Sequence, residues 1–242
     1  MISHGTPELT VIIPAFLEEA NLQWLLPDLQ SQLKNLGILY EILVVDTQKP
    51  RDETPAICQK HKVIYLPRKG GSLYSHALKT GISRSKGVWI LCMDADGSHS
   101  PAFVPSLWAK RNSADLVIAS RYVKGGKTEN PAFLIFLSFL VNLTFRIALN
   151  LSCHDVSNSF RLYRGDSLRS LTLECQNFDI LEEIILKLQL DNPSFNLLEI
   201  PFTFKSRKLG QTKRDLFAFA LGYWATLHRL RRLTKAHRGK HQ

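Results

Sequence analysis

Two carboxylates, Asp94 and Asp96, stand one alanine apart in WILCMDADGSHSP (89–101), where an apolar run turns acidic within a few positions. If that run is a strand, residues two apart share a face, and both carboxylates point the same way. Like charges so close repel unless a cation or hydrogen-bond donors lie between them. A hard divalent cation with oxygen ligands, Mg2+ or Mn2+, meets that need and also grips a diphosphate. On this motif alone a plainer role stays open, that of loop aspartates capping a helix that begins near Pro101.

The elements around the pair bear on that choice. LTVIIPAF (9–16) reads as a buried strand, and YEILVVD (40–46), VIYLPR (63–68), GVWILCMD (87–94) and ADLVIASRY (114–122) as further strands. Between them lie helical patterns: EEANLQWLLPDLQSQLKNLG, with Asn21 as a cap and Gly37 as a stop, then PAICQKH, SLYSHALKTGISRS and SPAFVPSLWAKRN. This alternation predicts an α/β fold with a mostly parallel sheet flanked by helices. Ligands of such sheets bind beyond the carboxyl ends of the strands. Glu18 follows the first strand, Asp46 ends the second, and the Asp94/Asp96 pair follows the fourth. Their convergence at one rim favours a binding site over a cap.

Composition narrows the partners. The chain has 242 residues, 45 % of them hydrophobic, enough for a sizeable core. A net charge of +10 and a pI near 9.6 favour anionic partners: phosphates, nucleic acid or acidic lipid. Cys58, Cys92, Cys153 and Cys175 form no CxxC pair, and reduced thiols in a cytosolic protein fit them best. The N-terminus lacks the charged-then-apolar pattern of a signal peptide. No Ser/His/Asp spacing stands out, which argues against a covalent nucleophile. Cys153, His154 and Asp155 are adjacent and cannot easily all face one zinc ion. The basic C-terminal end lacks the interleaved aromatics of a nucleic-acid tail, so no nucleic-acid partner is expected.

Further segments add specificity. VIIPAFLEEANL, EILVVD, MDADGSHSP, IASRYVKGG, VSNSFRLYRGD and EIPFTFKSRKLGQTK follow one another along residues 8 to 215. In order and spacing they resemble the family-2 glycosyltransferases, and within them the dolichyl-phosphate or polyprenyl-phosphate mannose synthase group. The resemblance implies a GT-A fold, a nucleotide-diphosphate sugar donor, a divalent metal and inversion at the anomeric carbon. It assigns Pro14, Phe16, Glu18 and Asp46 to the donor nucleoside, and Asp94, Asp96 and Ser98 to Mg2+ or Mn2+. Arg121, Lys127, Arg207 and Lys213 fall to the diphosphate and the acceptor phosphate. One departure touches the nucleoside wall: DTQKPRDET (46–54) has Thr47 in place of a second aspartate and one extra residue, with Asp52 and Thr54 matching the motif's end. The base and the sugar are left open.

The acceptor decides whether a base is needed. A sugar hydroxyl must lose a proton to a general base. A phosphate monoester is already largely ionised at neutral pH, its second pKa lying at about 6. Asp179 falls where hydroxyl-acceptor relatives carry a base; as a first-turn acid of a helix it would equally favour the helix dipole. Three functions fit these residues: hexose transfer to a polyprenyl phosphate, transfer to a glycan hydroxyl in surface-polysaccharide assembly, and, less well, a catalytically inactive basic nucleic-acid or membrane-binding protein.

PAFLIFLSFLVNLTFRIALNL (131–151) is the most apolar stretch, polar at every fourth residue from Ser138 through Asn142 and Arg146 to Asn150. Either it packs in the core or it lies in the headgroup plane with its apolar side down; its arginine and two asparagines argue against spanning. The C-terminal stretch carries an apolar stripe from Phe217 through Trp224, Leu227 and Leu230, followed by Arg229, Arg231, Arg232, Lys235, Arg238 and Lys240. Such a segment suits an anionic membrane surface. The expected organisation is a catalytic domain over 1–215, including 131–151, and a basic amphipathic segment over 216–242, peripheral on the cytoplasmic face of a membrane.

Overall fold

The computed structural model describes residues 5–175, 179–205 and 216–238, with the side chains of 224–237 in the last stretch. The five apolar runs become strands β1 (Leu9–Pro14), β2 (Tyr40–Asp46), β3 (Ile64–Pro67), β4 (Trp89–Cys92) and β5 (Leu116–Ser120). Between them run helices α1 (Glu19–Asn35), α2 (Thr54–Lys60), α3 (Tyr74–Arg84) and α4 (Val104–Ala109), the last preceded by a 3-10 turn at Pro101–Phe103. Asn21 lies inside the first turn of α1 and is not its cap. Glu18 takes the cap position, and Asn21 Nδ2 donates to Glu18 Oε2 at 2.7 Å. Gly37 ends that helix with φ +66°, a conformation cheap only for glycine.

Beyond β5 come a two-residue strand β6 (Lys127–Thr128), α5 (Ala132–Leu149), β7 (Arg161–Arg164), α6 (Gly165–Arg169), α7 (Ile180–Asp191), β8 (Leu197–Pro201), β9 (Thr203–Phe204) and α8 (Leu216–Arg238). The main sheet has seven strands in the order β3-β2-β1-β4-β7-β5-β8, and β6 pairs with β9 in a small ribbon. All pairings in the main sheet are parallel except those of β7, which runs antiparallel between β4 and β5.

Strand alternation sorts the core into two layers. Val11, Ile13, Val44, Leu91 and Val117 face α1, α2 and α4. Ile12, Leu43, Val45, Ile90 and Ile118 face α3, α5, α6, α7 and α8. From β1 the chain winds outward to β2 and β3 on one side, then returns to place β4 on the other. The order therefore switches between β1 and β4, where a parallel sheet opens a crevice at its carboxyl rim. The segments after Pro14 and after Cys92 border that crevice.

The most apolar helix, α5, is long and apolar enough to cross a membrane by length and composition alone. It leaves much of its apolar surface uncovered. Phe133, Phe136 and Ile147 are 63 %, 58 % and 72 % exposed, whereas Asn142 is buried. Asn142 Oδ1 accepts the Ser157 N–H at 3.1 Å, and only Phe145 and Leu149 join it among the helix's buried residues. Helix α8 packs beside α5 and α7 through buried Leu227 and Leu230, while Trp224 is 72 % exposed. The stripe expected along α8 is thus split between two faces.

Candidate active site

The rim gathers most of the expected residues. Because β1 pairs in register with β2 (Pro14 beside Val45) and with β4 (Ile12 beside Cys92), the segments carrying Pro14 to Glu18, Asp46 and Asp94 to Asp96 emerge side by side. Arg121 follows the carboxyl end of β5 on the same rim. The segment Asp155–Ser159 reaches it from the other direction, since β7 starts where its parallel neighbours end.

Strand alternation does not govern the acidic pair, because β4 ends at Cys92 and residues 95–99 form a bend. Gly97, at φ +85°, lets the chain turn there at little cost. Asp94 is partly exposed and Asp96 buried. Asp94 accepts hydrogen bonds on both oxygens, from Tyr74 Oη at 3.3 Å and Ser159 Oγ at 2.8 Å. Burial, and then the Asp94 charge, hold the Tyr74 phenol well above its ordinary pKa, so it stays a donor. Asp96 Oδ1 accepts the Ser98 N–H at 3.1 Å and its hydroxyl at 2.6 Å.

On the nucleoside side, burial raises the pKa of the Asp46 carboxyl, which takes a hydrogen bond from Tyr65 Oη at 3.3 Å. Arg68 staples this wall: its Nε donates to the Asp46 carbonyl at 3.0 Å, its Nη1 to the Ser72 carbonyl at 2.7 Å, and its Nη2 to the Ala15 carbonyl. Phe16 lies under the Arg51 guanidinium, 5.7 Å from ring centre to carbon. The altered DTQKPRDET loop is closed by Asp52, whose oxygens accept the Glu19 and Thr54 N–H groups, both at 3.1 Å. Thr47, standing where the second aspartate was expected, turns its hydroxyl to the Lys49 carbonyl at 2.6 Å.

Arg121 is fixed by a two-pronged ion pair with Asp155, Nη2 to Oδ1 at 2.6 Å and Nε to Oδ2 at 2.9 Å. Burial opposes the charge, but Asp155 outweighs it and raises the arginine's pKa. Nη2 also reaches Ser157 Oγ at 3.0 Å, and Phe204 of β9 lies 5.3 Å from the guanidinium. Asp155 is held in turn by Glu199 of β8, which accepts the His154 and Asp155 N–H groups at 2.8 and 2.9 Å. The glycine pair after SRY has a steric cause: a Cβ on Gly126 would lie 2.5 Å from the Ser120 carbonyl oxygen. Cys153, His154 and Asp155 diverge, the cysteine into the core, the histidine to Glu199 and the aspartate to Arg121.

Two expected residues sit elsewhere. Asp179 turns to α8, accepting from Thr226 Oγ1 at 2.8 Å and lying 3.5 Å from Arg229 Nη2. It occupies the cap position of α7 but makes no capping bond there. Lys127 is exposed on the β6–β9 ribbon, paired with Thr203. Arg207 and Lys213 lie outside the described residues.

The sequence reading passed over Arg68, Tyr74, His99, Asn158 and Ser159. The buried His99 ring reaches both the Asp94 peptide and Asn158. The one available signal was the run of polar residues in VSNSF just before an apolar strand, since buried polar groups need partners.

A seven-stranded sheet with one reversed inner strand, layered by helices and bearing acidic loops at its rim, is a GT-A-like architecture. It matches glucosyl-3-phosphoglycerate synthase from Mycobacterium tuberculosis in complex with Mn2+, uridine diphosphate and phosphoglyceric acid, with a TM-score of 0.71, 15 % identity, and coverage of 93 % of this chain and 78 % of that one. The same enzyme with Mg2+ and uridine diphosphate gives 0.70 at 15 % identity, covering 93 % and 79 %. At that identity the likeness speaks for the fold. Residues 10–172 match the model of glycosyl transferase family 2, and the chain belongs to that family.

Among curated relatives, the dolichol-phosphate mannosyltransferase of Pyrococcus furiosus is 33 % identical over 213 residues, 85 % of this chain. This chain spans 59 % of that relative's length. The undecaprenyl-phosphate mannosyltransferase of Micrococcus luteus is 31 % identical over 84 % of this chain and 85 % of its own. The polyprenol monophosphomannose synthase of Mycolicibacterium smegmatis is 32 % identical over 86 % of this chain and 81 % of its own.

Proposed function

We propose that this protein transfers a hexose, with mannose the first candidate, from a nucleotide-diphosphate sugar to a polyprenyl phosphate at a membrane surface. The observation that carries the reading is α5. A catalytic-type α/β rim shares one chain with a helix whose Asn142 faces the protein and whose Phe133, Phe136 and Phe139 stand exposed. Exposed apolar surface of that kind marks a membrane or partner contact. The names of the three relatives supply the acceptor class and the sugar.

Asp94, Asp96 and Ser98 offer hard oxygen donors. Mg2+ is commonly held by one or two carboxylates plus substrate phosphates, and this donor set fits it or Mn2+. Among the described residues no group of three His, Cys, Asp or Glu side chains could form an all-protein cage. The neighbouring structures solved with Mn2+ or Mg2+ and uridine diphosphate support a divalent ion as the cofactor of this kind of fold. Such an ion, when bound, would neutralise charge on the departing diphosphate.

The chain's own groups do the rest. Tyr74 and Ser159 orient the Asp94 carboxylate. Pro14, Phe16, Glu18 and Asp46 line the side assigned to the nucleoside. Arg121 is locked by Asp155 through Nε and Nη2, and Nη1, which makes no hydrogen bond among the described residues, is assigned to a phosphate oxygen. Lys127, Arg207 and Lys213 are assigned to the diphosphate and acceptor phosphate. An ionised phosphate attacks without losing a proton, and the engagement of Asp179 by α8 agrees with a reaction that needs no protein base. The exposed Arg231, Arg232 and Lys235 on α8 suit an anionic surface. Four buried, unpaired thiols are in keeping with the cytoplasmic face.

The test is turnover of the purified full chain with GDP- or UDP-sugars, polyprenyl phosphate in vesicles, and Mg2+ or Mn2+. Metal-dependent glycolipid formation, lost in Asp96→Asn, is expected. No product with any donor, together with an Asp96→Asn chain indistinguishable from wild type, would sink the reading. Asp179→Asn should leave turnover within about threefold; a loss of the 10²-fold or larger size typical of a missing general base, with donor binding intact, would point to a hydroxyl acceptor.

A further inference from the structure

One short segment holds Asp94 from two sides. Ser159 Oγ donates to its carboxylate at 2.8 Å. One residue earlier, Asn158 reaches the same aspartate through His99. The imidazole is fully buried, stacked on Phe160 with ring centres 4.7 Å apart and planes 9° from parallel. The rings of Phe202 and Phe204 stand edge-on at 6.4 and 5.8 Å. His99 Nδ1 lies 2.9 Å from the Asp94 amide nitrogen. A backbone N–H can only donate, so Nδ1 is the unprotonated nitrogen and Nε2 carries the hydrogen. Nε2 faces Asn158 Oδ1 at 3.2 Å, and the Asn158 amide is itself anchored by donating to the Ala119 carbonyl on β5.

We infer that His99 is a positioning residue for the acidic turn: it fixes the Asp94 peptide, and so the direction in which the Asp94 carboxylate leaves the chain, and it keys that turn to β5 through Asn158. The inference rests on the proposed role of Asp94 as a metal ligand. Side chains that only touch the ligands of a metal commonly change its affinity 10- to 100-fold when replaced. His99 acts at the ligand's peptide, where a shift of the turn moves both Asp94 and Asp96.

Two replacements separate positioning from packing. His99→Phe keeps an aromatic ring between Phe160 and Phe204 but leaves the Asp94 N–H without its acceptor. His99→Asn gives up the ring and offers Oδ1 close to the place of Nδ1. Mn2+ binding to the full chain, read by electron paramagnetic resonance in the presence of GDP or UDP, is followed beside thermal unfolding. The expected result is Mn2+ affinity at least about tenfold weaker in His99→Phe and within about threefold of wild type in His99→Asn. Equal affinity in His99→Phe and wild type overturns the inference, as does an equal loss in both variants. Should His99→Phe not fold, Asn158→Ala carries the same test, because it frees the ring to turn with His99 in place; unchanged affinity there overturns it too. A wild-type chain that binds no Mn2+ with either nucleotide overturns the functional reading itself, and this inference with it.

Discussion

Arg121 shows what a single side chain contributes at this rim. Its guanidinium is 9 % exposed and its partner Asp155 wholly buried, so neither charge is offset by water. Removing one member of such a pair strands the other, at a cost of about 3 kcal/mol. Asp155→Ala should therefore lower the unfolding free energy from urea melts by that much, with nucleotide affinity falling in parallel. An Asp155→Ala chain as stable as wild type would mean that the pair is not the anchor described. At the same scale lies the limit of legibility. The Asp94/Asp96 pair stood out because both acids occur within three positions. Arg121 and Asp155 are 34 positions apart, and Arg68 bonds to carbonyls 22 and 53 positions away. Pairings that distant leave no local trace.

Among the elements, α5 and α8 carry the clearest consequences. Phe136 stands outward on α5, so Phe136→Ser should leave stability within about 0.5 kcal/mol of wild type. Binding to vesicles rich in anionic lipid should weaken roughly tenfold, the equivalent of withdrawing about 1.5 kcal/mol of buried aromatic surface. Asn142→Leu tests the opposite face. It removes the acceptor of the Ser157 N–H and should cost about 1–3 kcal/mol in denaturant unfolding, although it makes the helix more apolar. If the two substitutions exchange these effects, α5 faces the other way. The periodicity of 131–151 could not show this, because a stripe of polar residues looks the same whether it meets water or protein. β1 to β5 were legible as short, mainly apolar runs. β7 was not, since RLYR begins with an arginine that is nevertheless fully buried, its Nη2 donating to the Val156 carbonyl at 2.6 Å.

For the molecule as a whole, charge sets how it responds to pH and salt. With a net charge of +10, attachment to anionic vesicles should weaken as ionic strength rises and the Debye length falls below about 8 Å. Cosedimentation across a salt series reads this directly. Acid sensitivity centres on Glu183 of α7, which bridges to α8. Burial alone would raise its pKa, but hydrogen bonds from Cys175, Lys187 and the Glu174 and Cys175 N–H groups lower it to about 2. Arg229 of α8 reaches the same carboxylate at 3.3 Å, and Asp179 stands by that arginine at 3.5 Å. A carboxyl depressed in the folded chain binds fewer protons there than when unfolded, so its stabilisation is present above about pH 4.5 and fades as pH falls toward 2. Glu183→Gln should flatten that limb of the stability curve, which urea melts at stepped pH would record.

The reversed strand β7 sets a tolerance for change in length. Arg161 and Tyr163 project to one layer and Leu162 to the other, with neighbours on both sides. Deleting one residue between 159 and 164 would exchange those layers and pull Asn158 and Ser159 out of reach of the acidic turn together. Removing a residue from the exposed turn at 192–194 would disturb neither. In a deletion scan, the shortest losses at the middle of the sheet should be the most harmful.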